Sequence, residues 1–302
     1  MAEILIRNLP QYYHLTPPTP SPVVVVFIHG WLLSAHYWQP LIQLLQSQVQ
    51  CLSYDLRGFG RSATGNHPHT IQSFVEDLAE MLDRLHLGKV WLVGHSLGGT
   101  LALWSAHLLG DRVLGVICVN SGGGIYIEED FRKLRLAGQL IGYLRPKWLN
   151  APWLAPRLAL QFTTDSVHQP LALGWGYQRL EDFVRADRRS VLGILLDSTT
   201  ASAVHLLPPL VARLPQPAYF ITGEQDRIME AKFVRHLASF HALFSQGIQN
   251  YWALPHCGHM AMLEQTAVLG QIVQQLILKD DHERKSEPLP LNNTWGNQGK
   301  KW

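Results

Sequence analysis

Charged side chains are scarce in this chain. They make up 16% of the 302 residues and leave a formal net charge of +2. No basic stripe with interleaved aromatics appears, which argues against a nucleic-acid partner. Cysteine is scarcer still. Cys51, Cys118 and Cys257 do not suggest a disulfide framework, and the first two sit in apolar runs that suit small buried thiols. No stretch of 18 uncharged apolar residues occurs, so no transmembrane helix is expected. The N-terminus has Glu3 early and no cleavable apolar core, so no signal peptide is expected either. Internal repeats are absent. These absences describe a soluble, cytoplasmic protein, and the 47% hydrophobic content is enough for one large α/β domain with an insertion, or for two small domains.

What is present is organised around residues 90–100. An apolar run with strand character enters Gly94-His95-Ser96-Leu97-Gly98, and a helix-like run over 101–109 leaves it. Reversing from strand to helix within a few residues strains the serine backbone and lifts its hydroxyl out of the turn. A Cβ at Gly94 or Gly98 would collide with the crossing strand or helix. Ser96 is therefore a candidate nucleophile; the plainer alternative is a serine that only caps the following helix.

Around this element the chain alternates strand and helix. Residues 4–9 and 11–15 read as short strands about Pro10, and 16–22 as a stiff proline-rich connector. The β-branched run 23–28 suits a strand covered on both faces. A helix over 37–46, a strand over 49–55, an amphipathic helix over 70–87 ended by Gly88, and a strand over 113–120 follow. This rhythm implies parallel strands with helices on both faces. It stops near residue 125. From there to 199 the chain is rich in arginine, leucine and aromatics and is broken at Pro146, Pro152, Pro156 and Pro170, which reads as an inserted helical cap. The rhythm resumes with a helix near 202–214, a strand over 217–222, a helix over 231–244, a strand over 248–254 and a last helix over 266–279. The expected division is a core of 1–124 and 200–280, a cap of 125–199, and a disordered tail of 281–302.

Serine nucleophiles need a base, a carboxylate to orient it and donors for the oxyanion. In open α/β sheets such groups gather beyond the carboxyl ends of the strands. Ser96, Asp226 and His259 each follow an inferred strand, in the order Ser…Asp…His. Together with His29-Gly30-Trp31, the loop from Asp55 to Ser62, Gly223-Glu224-Gln225-Asp226 and Gly258-His259, these motifs resemble the α/β-hydrolase fold superfamily, in its capped, serine-nucleophile branch. The resemblance covers roughly residues 20–280. It implies a mostly parallel eight-stranded sheet, a triad of Ser96, Asp226 and His259, and an oxyanion hole from the backbone N–H groups of Trp31 and Leu97. His256 competes with His259 as base, and Glu224 and Asp55 compete with Asp226. His29 is expected to fix the oxyanion loop, and the 55–62 loop to organise its own backbone. The histidines lack metal-ligand spacing, so neither metal nor cofactor is expected.

The expected function is hydrolysis of a carboxylic ester or related small, partly apolar acyl substrate. Aspartate-nucleophile dehalogenases and epoxide hydrolases are disfavoured by the serine. A menaquinone-pathway lyase resembles the chain in size, motifs and cap, and arginines bind its anionic substrate, but it carries arginine where this chain has Thr100. Carbon–carbon bond hydrolases and cofactor-free peroxidases use the same frame. A non-catalytic ligand-binding protein is the reading from another class. The sequence does not disclose an oligomeric state.

Overall fold

A computed structural model of the protein describes residues 1–122 and 128–286. Its strands are β1 (Ala2–Ile6), β2 (Leu9–Leu15), β3 (Val24–Ile28), β4 (Gln50–Tyr54), β5 (Val90–His95), β6 (Val113–Val119), β7 (Ala218–Gly223) and β8 (Tyr251–Leu254). They form one eight-stranded sheet in the order β1-β2-β4-β3-β5-β6-β7-β8. β2 pairs antiparallel with β1 and β4, and every other pairing is parallel.

The helices before the sheet's midpoint are α1 (Gln39–Leu45), α2 (Ile71–Arg84) and α3 (Leu97–Leu109). Between β6 and β7 lie α4 (Glu128–Tyr143), α5 (Ala155–Phe162), α6 (Leu173–Arg185), α7 (Arg188–Ser198) and α8 (Ala201–Arg213). After β7 come α9 (Ala231–Ala238), α10 (Ala242–Ser245), α11 (Ala261–Glu264) and α12 (Thr266–Ser286). The unbroken apolar run of β3 is explained by the two faces it serves. Val24, Val26 and Ile28 join a core with α2, α3, α8 and α9, whereas Val25 and Phe27 join a second core with α1 and α12. Parallel strands covered on both sides have no solvated face to mark with polar residues.

The element boundaries depart from expectation where local turn chemistry decides them. The first hairpin turns at Arg7 and Asn8, both at positive φ (50° and 63°), which suits a two-residue turn. Pro10 lies inside β2, opposite Leu5. β2 pairs with β4 only through Tyr13, His14 and Leu15, so the missing N–H of Pro10 costs that ladder nothing. Thr70 caps α2 by accepting from the Ser73 N–H at 3.2 Å, but the helix ends at Arg84 and the chain turns at His86 (φ 54°) before Gly88 is reached. The helix expected over 231–244 is two pieces, because His241 Nδ1 accepts from the Leu243 N–H at 3.2 Å and starts α10 afresh. α12 runs through Ser286, past the expected end near 279; the rest of the expected tail lies outside the described residues. Among the described residues no single helix is long and apolar enough to cross a membrane; α7 and α8 reach that length only together, bent by 63°.

Candidate active site

Ser96 stands at the junction of β5 and α3 with φ 52° and ψ −119°. An L-residue held there costs on the order of 1–3 kcal/mol, so its surroundings must over-determine it. They do. The Ser96 N–H donates to Val119 O at 3.0 Å, and the Ser121 hydroxyl donates to Ser96 O at 2.6 Å. A Cβ on Gly94 would strike the backbone of Gly98, and one on Gly98 would strike that of Ile28 in β3, which is the close approach expected of both glycines. Leu97 opens α3, so its N–H has no acceptor within the helix and adds to the positive end of the helix dipole.

The loop after β3 lies against this junction, since a Cβ on Gly30 would sit 3.2 Å from that of Ser96. His29 holds the loop in shape. Its Nδ1–H donates to Gly30 O at 2.8 Å, and its Nε2 accepts from the Leu56 N–H at 2.9 Å. Those bonds require the neutral ring, and burial lowers its pKa in the same sense. The indole N–H of Trp31 donates to Val191 O in α7 at 3.0 Å. The Asp55 carboxylate is spent on backbone: Oδ1 accepts from the Ala35 N–H and Oδ2 from the Arg61 N–H, each at 2.8 Å. Arg57 is buried on Asp77 (2.7 Å) and on the carbonyls of His67 and Pro68.

The other half of the site comes from the loops after β7 and β8. Asp226 Oδ2 accepts from His259 Nδ1–H and from the Asn120 side-chain amide, each at 2.8 Å. Its Oδ1 accepts from the N–H groups of Ile228 and Met229, each at 2.9 Å. Burial alone would raise the pKa of this carboxyl, but the adjacent imidazole and the hydrogen bonds from His259, Met229 and Asn120 hold it below the ordinary value. With Nδ1 committed to Asp226, His259 has Nε2 left for other chemistry. Its backbone donates to Ser166 O at 2.8 Å, and its carbonyl accepts from His95 Nε2–H at 2.7 Å. The rings of His95 and His259 lie 4.8 Å apart, centroid to centroid, so His259 sits beside the neighbour of Ser96. Burial, followed by the proximity of His259, drives the His95 pKa down to about 3 and keeps that ring neutral.

Of the sequence-derived candidates, the structure therefore joins Asp226 to His259 and sets them beside the Ser96 turn. It leaves His256 and Glu224 exposed and uses Asp55 elsewhere. Three positioning residues had escaped the sequence reading. Asn120, at φ 48° just past β6, donates to Gly258 O at 3.0 Å as well as to Asp226. Gln225 bridges the two loops: its side chain accepts from the Cys257 N–H at 2.8 Å while its own N–H donates to Cys257 O at 2.9 Å. Glu264 accepts from the N–H groups of His168, Gly258 and Met260 at 2.7–3.0 Å. A polar residue at the end of an apolar strand was a signal available for Asn120. None existed for the other two: Gln225 meets backbone 32 residues away, and Glu264 joins its own loop to His168, 96 residues away.

Three of the arginines between β6 and β7 are spent on backbone carbonyls. Arg135 donates to the carbonyls of Leu196 and Thr199, and Arg145 to those of Phe183 and Ala186. The buried Arg179 donates to carbonyls of Phe162 and Asp165 and pairs with the Asp165 carboxylate at 3.1 Å. Each satisfies the unpaired carbonyls at a helix end.

A strained serine, a neutral loop histidine and a carboxylate-bound imidazole at one edge of a mostly parallel sheet define a hydrolase-type arrangement. The family model of the alpha/beta hydrolase fold matches residues 23–266, and the chain belongs to that family. It is 35% identical to 3-oxoadipate enol-lactonase 1 of Acinetobacter baylyi over 37% of this chain and 41% of that protein. It is 22% identical to the 2-hydroxy-6-oxo-6-(2'-aminophenyl)hexa-2,4-dienoic acid hydrolase of Metapseudomonas resinovorans, over 80% and 79% respectively. A thermophilic esterase from Thermogutta terrifontis shares the fold at a TM-score of 0.73 and 20% identity, covering 93% of this chain and 98% of that one. The chain spans 7% to 41% of the length of the first curated relatives it matches.

Proposed function

We propose that this chain is an enzyme that hydrolyses a carboxylic ester or a related small acyl substrate, with Ser96, His259 and Asp226 as its triad. The hydrogen bond between Asp226 and His259 Nδ1, beside a serine held at positive φ, carries the reading. Asp226 keeps the proton on Nδ1, so Nε2 is the base that takes the Ser96 proton as its hydroxyl attacks the acyl carbonyl. The N–H groups of Trp31 and Leu97 receive the oxyanion; losing one such donor typically costs about 3 kcal/mol of transition-state stabilisation. His259 then protonates the leaving group, and water, deprotonated by the same ring, releases the acyl enzyme. The helical segment 125–199 serves as a cap over this centre and selects a partly apolar substrate. Three free, buried cysteines suit a reducing, cytoplasmic setting.

Carbon–carbon bond hydrolysis by the same triad is the second reading, favoured by the likeness to the Metapseudomonas hydrolase over most of both chains. For the lyase reading, three of the arginines between β6 and β7, Arg135, Arg145 and Arg179, are engaged with helix-end carbonyls. In the decisive experiment, short p-nitrophenyl esters and a fluorophosphonate probe are presented to the wild type and to Ser96→Ala. The wild type is expected to turn over the esters and be labelled, and the variant to lose at least about a thousandfold in rate and all labelling. Equal rates in the two proteins would overturn the assignment.

A further inference from the structure

The imidazole of His95 is only half satisfied. His95 ends β5, is 1% exposed, and donates from Nε2–H to His259 O at 2.7 Å. Its Nδ1 is buried and has no hydrogen-bond partner among the described residues. A Cβ on Gly30 would lie 2.8 Å from that nitrogen, so the main chain after β3 lies against it. A buried acceptor left unpaired is destabilising. The rest of β5, Val90 to Gly94, is apolar, so stability alone favours a hydrocarbon side chain at this position. What the ring contributes instead is one bond, to the backbone of His259.

The place of that bond gives it a use. Residue 95 is joined covalently to Ser96, and the carbonyl it holds belongs to the residue whose Nδ1–H meets Asp226. On the other side of the same residue, the His259 N–H donates to Ser166 O at 2.8 Å. Both peptide groups of His259 are thus tied, and its Nδ1 as well, so the direction in which the ring presents Nε2 is set. Burial holds the His95 pKa down at about 3, so this donor does not change state at ordinary pH. A displacement of about 1 Å in such a constellation can cost on the order of a hundredfold in rate.

We infer that His95 is a positioning residue for the proposed reaction, its Nε2–H fixing the His259 main chain and so the approach of that imidazole to Ser96. The inference rests on the triad reading given above. Glutamine and asparagine separate the bond from the bulk of the side chain. A glutamine amide nitrogen stands three bonds from Cβ, as imidazole Nε2 does, and an asparagine nitrogen stands two, as Nδ1 does. His95→Gln can therefore reach His259 O, and His95→Asn falls short. On a short p-nitrophenyl ester, His95→Asn should lose about a hundredfold in kcat with KM within about threefold of wild type. His95→Gln should recover kcat to about a fifth of the wild-type value. Circular dichroism and thermal melting verify folding, and if His95→Asn unfolds, His95→Leu, which fills an apolar strand end without a donor, replaces it. Independently of turnover, imidazole ¹⁵N shifts of the wild type should show His95 as the neutral Nε2–H tautomer from about pH 5 to about pH 8, its signals assigned by their loss in His95→Gln. An Nδ1–H tautomer or a titrating ring would overturn the inference. So would equal kcat in the folded Gln and Asn variants beside an active wild type. A wild type no faster than Ser96→Ala would instead overturn the triad, and the role of His95 with it.

Discussion

Asp55 and Asp226 are chemically alike and placed alike. Each is a buried carboxylate just beyond the carboxyl end of a parallel strand, and each accepts two backbone N–H groups. The difference is how those bonds are distributed. Asp55 divides them between its two oxygens and so ties the loop after β3 to the loop after β4. Asp226 takes both on Oδ1, which leaves Oδ2 for an imidazole and the Asn120 amide. Position at a strand end is thus insufficient to make a carboxylate functional; an oxygen must also be left free of local backbone.

The same substitution at both sites should separate the roles. Asp226→Asn sets an amide N–H against His259 Nδ1–H and favours the wrong tautomer, so kcat/KM for a soluble ester should fall on the order of 10⁴-fold. Circular dichroism should be unchanged, and a loss below tenfold would remove the distinction between the two carboxylates. Asp55→Asn opposes an amide N–H to a backbone donor and should cost about 2 kcal/mol in urea unfolding, with ester turnover within about tenfold of wild type. A catalytic collapse with intact stability would reverse the assignment.

A third buried carboxylate sharpens the contrast. Asp182 in α6 accepts from the Ser34 hydroxyl at 2.8 Å and from the Gln178 amide at 3.0 Å, with no cation in those bonds, and burial pushes its pKa up to about 7. Because the folded pKa lies above the unfolded one, this group's relative stabilisation is complete below about pH 4 and is lost as pH rises through about 7. Wild type should therefore weaken between pH 5 and pH 8 by roughly 2–3 kcal/mol more than Asp182→Asn does. Denaturant midpoints at the two pH values measure the difference; parallel curves for both proteins would contradict it.

The sheet was legible because its strands are apolar runs bounded by glycine and polar loops, as in β3 and β5. Strand ends marked Ser96, Asp226 and His259 as candidates for the same reason. Boundaries set by single residues were less visible: Arg7 and Asn8 made a turn that Pro10 had suggested, and His86 stopped α2 before Gly88. Nothing local to Gln225 or Glu264 announces partners 32 residues away or, for His168, 96 residues away. The roles of Arg135, Arg145 and Arg179 were not legible, because guanidinium groups that finish helix ends and guanidinium groups that grip anions look alike in sequence.

One hydrogen bond joins two parts of the molecule that could have been independent. The Trp31 indole reaches α7, so the loop beside Ser96 and one of the helices between β6 and β7 are mechanically coupled. Displacing α7 would pull through that bond on the main chain next to Ser96, and its return would restore that geometry. If that segment caps the proposed centre, admission of a ligand and readiness for reaction vary together along a single coordinate.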